Sequence, residues 1–241
     1  MTDDLEALRG ALPYLTEGLT VTLLLTVGGA ALAFVVSVLL GLMSINRVPV
    51  VRWTASVVVE FFRGTSLVVQ LFWLYFVLPI FTGTPWSDIL GREWGALIPG
   101  LLALGLNYGA YGAEVVRGSI NAVDNGQWEG ATALNMSAMT RMRRVIWPQA
   151  WALMLSGYNN LLVMLAKGTA AVVFISVQEF GYQISELRKD TSTIFAYAIG
   201  LLVYFLIAWL LSQVLRAMEN RARRRLGWST GSSHAEAGAA L

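Results

Sequence analysis

The chain of 241 residues is 56% hydrophobic and only 13% charged, a balance that excludes a soluble domain and describes a polytopic membrane protein. Cysteine is absent and the single histidine, His234, lies in a Gly/Ser/Ala-rich tail, which excludes thiol chemistry and a His/Cys metal site. Membrane spans use up the length and leave no room for a separate catalytic domain, and no dinucleotide or phosphate loop occurs. The net charge of +2 comes from arginines beside apolar blocks, a mark of topology rather than of nucleic-acid binding.

Residues 1–18 carry Asp3, Asp4, Glu6 and Glu17 against one Arg9, the reverse of a basic signal peptide. They are expected to be retained as an extracytoplasmic segment. Leu19 to Met43 is uncharged and long enough for a first span. Arg47 and Arg52 follow in a short loop. A second span is predicted from about Val57, with Glu60 and Arg63 in its first turns and an uncharged run from Gly64 to Phe81. Glu60 and Arg63 stand three apart and can pair on one face, as an interfacial or as a functional pair.

A loop from Gly83 to Glu93 leads to a third span, Gly95 to Ala113. Gly100, Gly105, Gly109 and Gly112 give it small surfaces that let helices approach closely, so it is predicted to be packed on several sides. Asn107 and Tyr108 lie within it. Glu114 and Arg117 close its end with the same spacing as Glu60 and Arg63.

Residues 118–147 are too polar to cross a bilayer. Asp124 is predicted to cap a short helix, reciprocally with Gln127, placing Trp128, Ala131 and Leu134 on one face. Asn135 accepts left-handed backbone angles and can end that helix, and Ser137 can cap the next. Pro148 suits the first turn of the following membrane helix. The result is a helical corner, either a solvated loop or a plug for a hydrophobic groove on a soluble partner.

The apolar block from Pro148 to Val177 exceeds one span, so a helix is expected to end near Ala166 and continue bent or partly re-entrant. Lys167 inside it costs about 2.5–3.5 kcal/mol on insertion scales and needs a reason. It lines the path or gate, or it is a counter-ion for Glu60, Glu114 or Glu179. Gln70, Asn107, Asn159 and Asn160 are likewise polar groups in apolar spans, facing a path or bonding between helices. A polar loop, 178–191, precedes a last span, 192–215, and a basic tail, 218–241, expected to be disordered from Gly227. Alternating five spans puts the arginine clusters on one side, which the positive-inside rule makes cytoplasmic, with the N-terminus outside.

Several stretches carry a family resemblance. The spacing Glu129-Gly130-Ala131, three residues, Asn135, nine residues, Val145, one residue, Trp147-Pro148 resembles the E-A-A loop of ABC-importer permeases. Gly130, Asn135 and Trp147 depart from its usual alanine, glycine and leucine. Arg63-Gly64-Thr65-Ser66-Leu67 resembles the R-G-T-P-L of polar amino acid permeases, with Ser66 for proline, so a straighter backbone is expected there. Ala166-Lys167-Gly168-Thr169 keeps the lysine and threonine of a family L-K-D-T tract and loses its acid. VEFFRGTSLVVQLFWLYFVLP, LGLNYGAYGAEVVRGSINAV and GQWEGATALNMS are similar to ectoine and hydroxyectoine uptake permeases.

The resemblance implies an all-α permease of the type I importer kind, with five transmembrane helices and a cytoplasmic coupling helix, in a bacterial inner membrane. It implies as partners two ATP-binding subunits, which hold ATP and Mg, a second identical or homologous permease, and an extracytoplasmic solute-binding protein. Trp128, Glu129, Gly130, Ala131, Leu134, Asn135 and Pro148 become ATPase-coupling residues. Arg63, Gln70, Asn107, Glu114, Asn159, Asn160 and Lys167 become candidates for the path. An ion-coupled secondary transporter is the alternative, although internal repeats are not evident. A membrane enzyme is weaker, for want of a nucleophile–base cluster.

Overall fold

A computed structural model describes residues 2–228, and the described chain is helical throughout. The helices are α1 (Thr2–Ser44), α2 (Pro49–Gly64), α3 (Leu67–Thr82), α4 (Trp86–Asn121), α5 (Asn125–Ala133), α6 (Ala138–Ile175), α7 (Phe180–Asp190) and α8 (Thr193–Arg225). Of these, α1, α6 and α8 are long and apolar enough to cross a membrane, and α2 with α3, counted as one broken span, makes a fourth. The expected third span lies inside α4, which is not among them and is itself kinked at Gly91 (φ 80°, ψ 167°). Its glycines, Asn107 and Tyr108 lower its hydropathy, and α4 can carry them because Ala103, Leu104, Ala110, Ala113 and Val116 are sheathed by other helices.

Close approach of α1 and α4 depends on glycine. A Cβ at Gly109 would lie 2.7 Å from Val36 Cβ, and one at Gly112 would lie 2.6 Å from Ser37 Cβ. The predicted multi-sided packing of this span is therefore present. One core layer gathers Leu25, Leu71, Leu104, Leu165 and Val172, a second Val116, Ile120, Val123, Ile146 and Met154 beneath the corner, and a third Leu15, Phe180, Ile184 and Leu187 around α7.

Four boundaries differ from the sequence reading. Residues from Thr2 onward are not a separate segment but the start of α1, because Leu8, Ala11 and Leu15 pack on α7 and extend the helix beyond its apolar run. The tract 178–191 is not a loop but the amphipathic helix α7, capped by Glu179 and buried through Phe180, Gln183, Ile184 and Leu187. The basic tail is helical to Arg225. Gly227, at φ 73°, then closes α8 as Trp228 N–H bonds to the Arg223 carbonyl. Residues 229–241, where disorder was expected and where His234 lies, fall outside the described residues.

The second span is the largest departure. Thr65 (φ −108°, ψ 150°) and Ser66 (φ −68°, ψ 135°) are extended, and α2 and α3 meet there at 103°. The straighter backbone expected from Ser66 is thus wrong. Serine adopts the φ that proline's ring would impose, and the break is held by side chains rather than by a ring. Glu60 and Arg63 consequently lie in the last turn of a helix, not the first. The helix expected to end near Ala166 instead runs to Gly168 and passes without interruption into a 3-10 stretch, Thr169–Ile175, which ends at Ser176 with φ 65°.

Candidate coupling corner and polar cavity

The corner is built by local chemistry. Asp124 Oδ1 accepts from Gly126 N–H at 2.7 Å and starts α5. The reciprocal bond expected of Gln127 is not made. Its Oε1 instead accepts from Gln149 Nε2 at 3.2 Å, tying the corner to α6. Asn135 takes φ 54°, and Met136 N–H reaches the Ala131 carbonyl at 3.1 Å, so the left-handed stop is realised. Ser137 Oγ accepts from Thr140 N–H, capping α6 as predicted. Arg141 then braces the two arms. Its Nη1 donates to Thr132 Oγ1 at 2.7 Å, and its guanidinium lies 5.5 Å from the Trp128 ring centroid.

Pro148 stands in the first turn of the α-helical stretch Trp147–Gly168, as expected. It sits inside α6, just after a π turn over Met142–Ile146 in which Trp147 N–H bonds to the Met142 carbonyl. The widened turn relieves the clash a proline ring makes with the preceding turn, so the second arm of the corner, from Ala138, runs on into the membrane helix over 38 residues.

The expected docking face is divided by the packing. Ala131 is buried, and Trp128 packs on the layer of Val116, Ile120, Val123 and Ile146. Both hold the corner down on the chain's own core, Ala131 by full burial and Trp128 by partial burial. Leu134 is 75% exposed, and Met139, which the sequence reading passed over, is 76% exposed. Glu129, Gly130 and Asn135 are exposed beside them, as are Arg143 and Arg144.

The path candidates separate into three groups. Gln70 and Asn107 are buried and turned onto the broken span. Both donate to the Phe62 carbonyl, and Asn107 Nδ2 also donates to Gln70 Oε1 at 3.2 Å. They satisfy the backbone that the break frees, which realises the helix-bonding reading rather than a path. Asn159 Oδ1 is buried with no hydrogen-bond partner among the described residues, Asn160 is exposed, and so is Lys167. Lys167 forms no ion pair with Glu60, Glu114 or Glu179, so the counter-ion reading fails within this chain. Those acids are engaged elsewhere. Glu179 Oε2 accepts from Tyr204 at 2.7 Å and from Thr22 at 3.1 Å, and its Oε1 accepts from Tyr182 N–H at 3.0 Å.

Arg63 and Glu114 do come together. The ion pairs Glu60–Arg63 on α2 and Glu114–Arg117 on α4 both line a cavity of about 430 Å³, together with Arg52 and Ser56. Its wall also includes Ser44, the last residue of α1. Sequence reasoning found each pair by its spacing but not their meeting, which follows from the break. The knot of Thr22, Glu179 and Tyr204 was also missed. Its members are far apart in the chain, and only the apolar setting of Thr22 and Tyr204 marked them.

Residues 33–224 match the family described as binding-protein-dependent transport system inner membrane component. A probable amino-acid ABC transporter permease of Sinorhizobium fredii is 38% identical over 88% of this chain and 89% of its own length. The arginine transport system permease of Bacillus subtilis is 30% identical over 92% of this chain and 99% of its own. The crystal structure of an amino acid ABC transporter with histidines superposes with a TM-score of 0.79 at 31% identity, covering 92% of this chain and 99% of that one. A methionine ABC transporter in an inward-facing conformation shares the fold at a TM-score of 0.65 and 20% identity, over 85% of this chain and 95% of that one. Such relatives are membrane components rather than enzymes, working with ATP-binding and solute-binding partners, and the ion-coupled alternative has no support among them. With its helical core and braced corner, this chain belongs to the binding-protein-dependent transport system inner membrane components and is the permease subunit of an ABC importer.

Proposed function

We propose that this permease carries a small polar or zwitterionic solute, an amino acid or an ectoine-like compatible solute, handed over by an extracytoplasmic binding protein. The relatives' amino-acid names support the class, and the tracts from Val59 to Pro79 and from Leu104 to Val123 support the ectoine branch. Two ATP-binding subunits and a second permease, identical or homologous, complete the assembly. The N-terminus lies outside and the corner and C-terminus in the cytoplasm, as the arginine distribution favours.

The observation that carries this reading is the corner, which is braced internally yet presents Leu134, Met139 and Glu129 to its surroundings. A rigid apolar knuckle beside one acid suits a groove on a soluble subunit. Closure of the ATPase pair pushes the knuckle, and α6, continuous from Ala138 to Ile175, carries the displacement past Asn159 to Lys167 as a rigid-body motion.

The test is solute uptake by cells expressing Glu129→Arg together with the partner subunits. Uptake is lost while the amount of permease in the membrane fraction is unchanged. Undiminished uptake by this variant removes the corner from the coupling role.

A further inference from the structure

Arg63 is held by its face and left free at its edge. Its guanidinium carbon lies 5.5 Å from the Tyr111 ring centroid, and Tyr111 is itself fixed by donating from its hydroxyl to the Arg63 carbonyl at 3.3 Å. A guanidinium has five N–H donors. Arg63 uses one of them, in a long 3.4 Å contact to Glu60, and its Nε–H is buried with no partner among the described residues. Buried polar groups are nearly always satisfied, so a guanidinium this under-used, on the wall of a cavity, stands ready for an acceptor.

Glu60 is equally under-used. Its carboxylate has that one contact, and its side chain is 73% exposed. Across the cavity Glu114 and Arg117 are engaged closely with each other. Arg63 lies eleven residues along α2 from Arg52, about 16 Å at 1.5 Å per residue, and both line the cavity. The longer ion pair of the cavity therefore lies at the far end of α2, beside the break at Thr65 and Ser66.

We infer that Arg63 and Glu60 form a solute-binding pair in which Arg63 receives a carboxylate and Glu60 the cationic group of the same zwitterion. A planar guanidinium offers a carboxylate two parallel donors, which Glu60 does not exploit in its present 3.4 Å contact. When the solute enters, one internal ion pair is exchanged for two, so both Arg63 and Glu60 keep an opposite charge beside them. Tyr111 keeps the guanidinium plane in place during the exchange. A cation without a carboxylate would leave Arg63 unsatisfied, and a bare carboxylate would leave Glu60 so. The site thereby selects solutes carrying both groups. This deepens the proposed transport role and rests on it for its physiological meaning, but the binding event belongs to this chain alone.

The experiment is protection of Arg63 from phenylglyoxal in the purified full-length chain in nanodiscs, read by peptide mass spectrometry and needing neither ATPase nor uptake. Ectoine and L-glutamine are the zwitterion probes, acetate the bare carboxylate and glycinamide the cation without one. At least one zwitterion is expected to slow modification saturably, by about ten-fold at ten times its dissociation constant, with acetate weaker and glycinamide inert. Glu60→Gln should reduce zwitterion protection to the acetate level while Arg63 remains reactive, which separates lost binding from lost folding. Absence of protection by every carboxylate, or equal protection by glycinamide, overturns the assignment even where cells import solute normally. Protection by acetate as strong as by the zwitterions overturns the role of Glu60.

Discussion

Asn107 donates from Nδ2 to the main-chain oxygen of Phe62 across 3.0 Å, so a side chain of α4 completes the last turn of α2. Gln70 donates to the same oxygen at 2.9 Å and to Thr65 Oγ1 at 2.7 Å. A helix broken at membrane depth frees carbonyls that lipid cannot satisfy, and such breaks persist only where protein groups replace the lost bonds. Asn107→Leu and Gln70→Leu should therefore each destabilise the protein by about 1–3 kcal/mol, the cost of a buried group left unpaired. Because the two share an acceptor and bond each other, the double variant should lose less than the sum of the single losses. Thermal unfolding of the purified chain in detergent checks this, and strict additivity would argue against a shared network.

At the opposite end, α7 is tied by one carboxylate. Glu179 is 1% exposed, and it gathers donors from α1 (Thr22), α7 (Tyr182 N–H) and α8 (Tyr204). A hydrogen bond to a charged group contributes about 1.5–3 kcal/mol, more than a neutral one. Tyr204→Phe should accordingly loosen α7 without disturbing α4. Hydrogen exchange would show this as faster exchange over 180–190 with unchanged protection in α4. Uniform loss of protection along the whole chain would count against a local tie.

What was legible in the sequence was whatever depends on short spacing. The cap at Asp124, the left-handed stop at Asn135 and the cap at Ser137 could be named because each is settled by a residue's own chemistry. The path residues were less legible. Gln70 and Asn107 were marked correctly as polar groups in apolar helices, but their target is the Phe62 carbonyl, which no side-chain pattern displays. Trp128 and Ala131 shared a helical face with Leu134, yet periodicity says which residues lie together and not which way they face. Met139 was passed over because its exposure depends on how the corner lies on α4 and α6.

The turn at Asn135 gives a test of local strain. With φ at 54° the residue is in a region that costs an ordinary L-residue about 1–2 kcal/mol and glycine almost nothing. Asn135→Gly should leave the corner as stable as before. Asn135→Val should raise the rate of limited proteolysis across 133–138 several-fold, because a β-branched side chain tolerates that conformation worst. Equal protease resistance of the two variants would mean that this backbone conformation is not what holds the corner.

The division of the corner into an inward and an outward face gives the sharpest contrast. Leu134 and Met139 are 75% and 76% exposed, so charging them removes no contact inside the chain. Leu134→Glu and Met139→Glu should leave thermal stability within about 0.5 kcal/mol of the parent, as surface changes do. If they fill an apolar groove on the ATP-binding subunit, each places a carboxylate in that groove, and co-purification of the subunit should fall at least ten-fold, about 1.4 kcal/mol or more. Trp128→Ala should behave in the opposite way. It removes the ring beneath Arg141 and packing on Val116 and Ile120, so stability falls by about 3 kcal/mol or more and docking is lost as a consequence of a loosened corner. Pull-down of the ATP-binding subunit, with the melting temperature of each variant measured on the same preparation, separates the two mechanisms. Retention of the subunit by both charged variants would place its contact elsewhere on the chain.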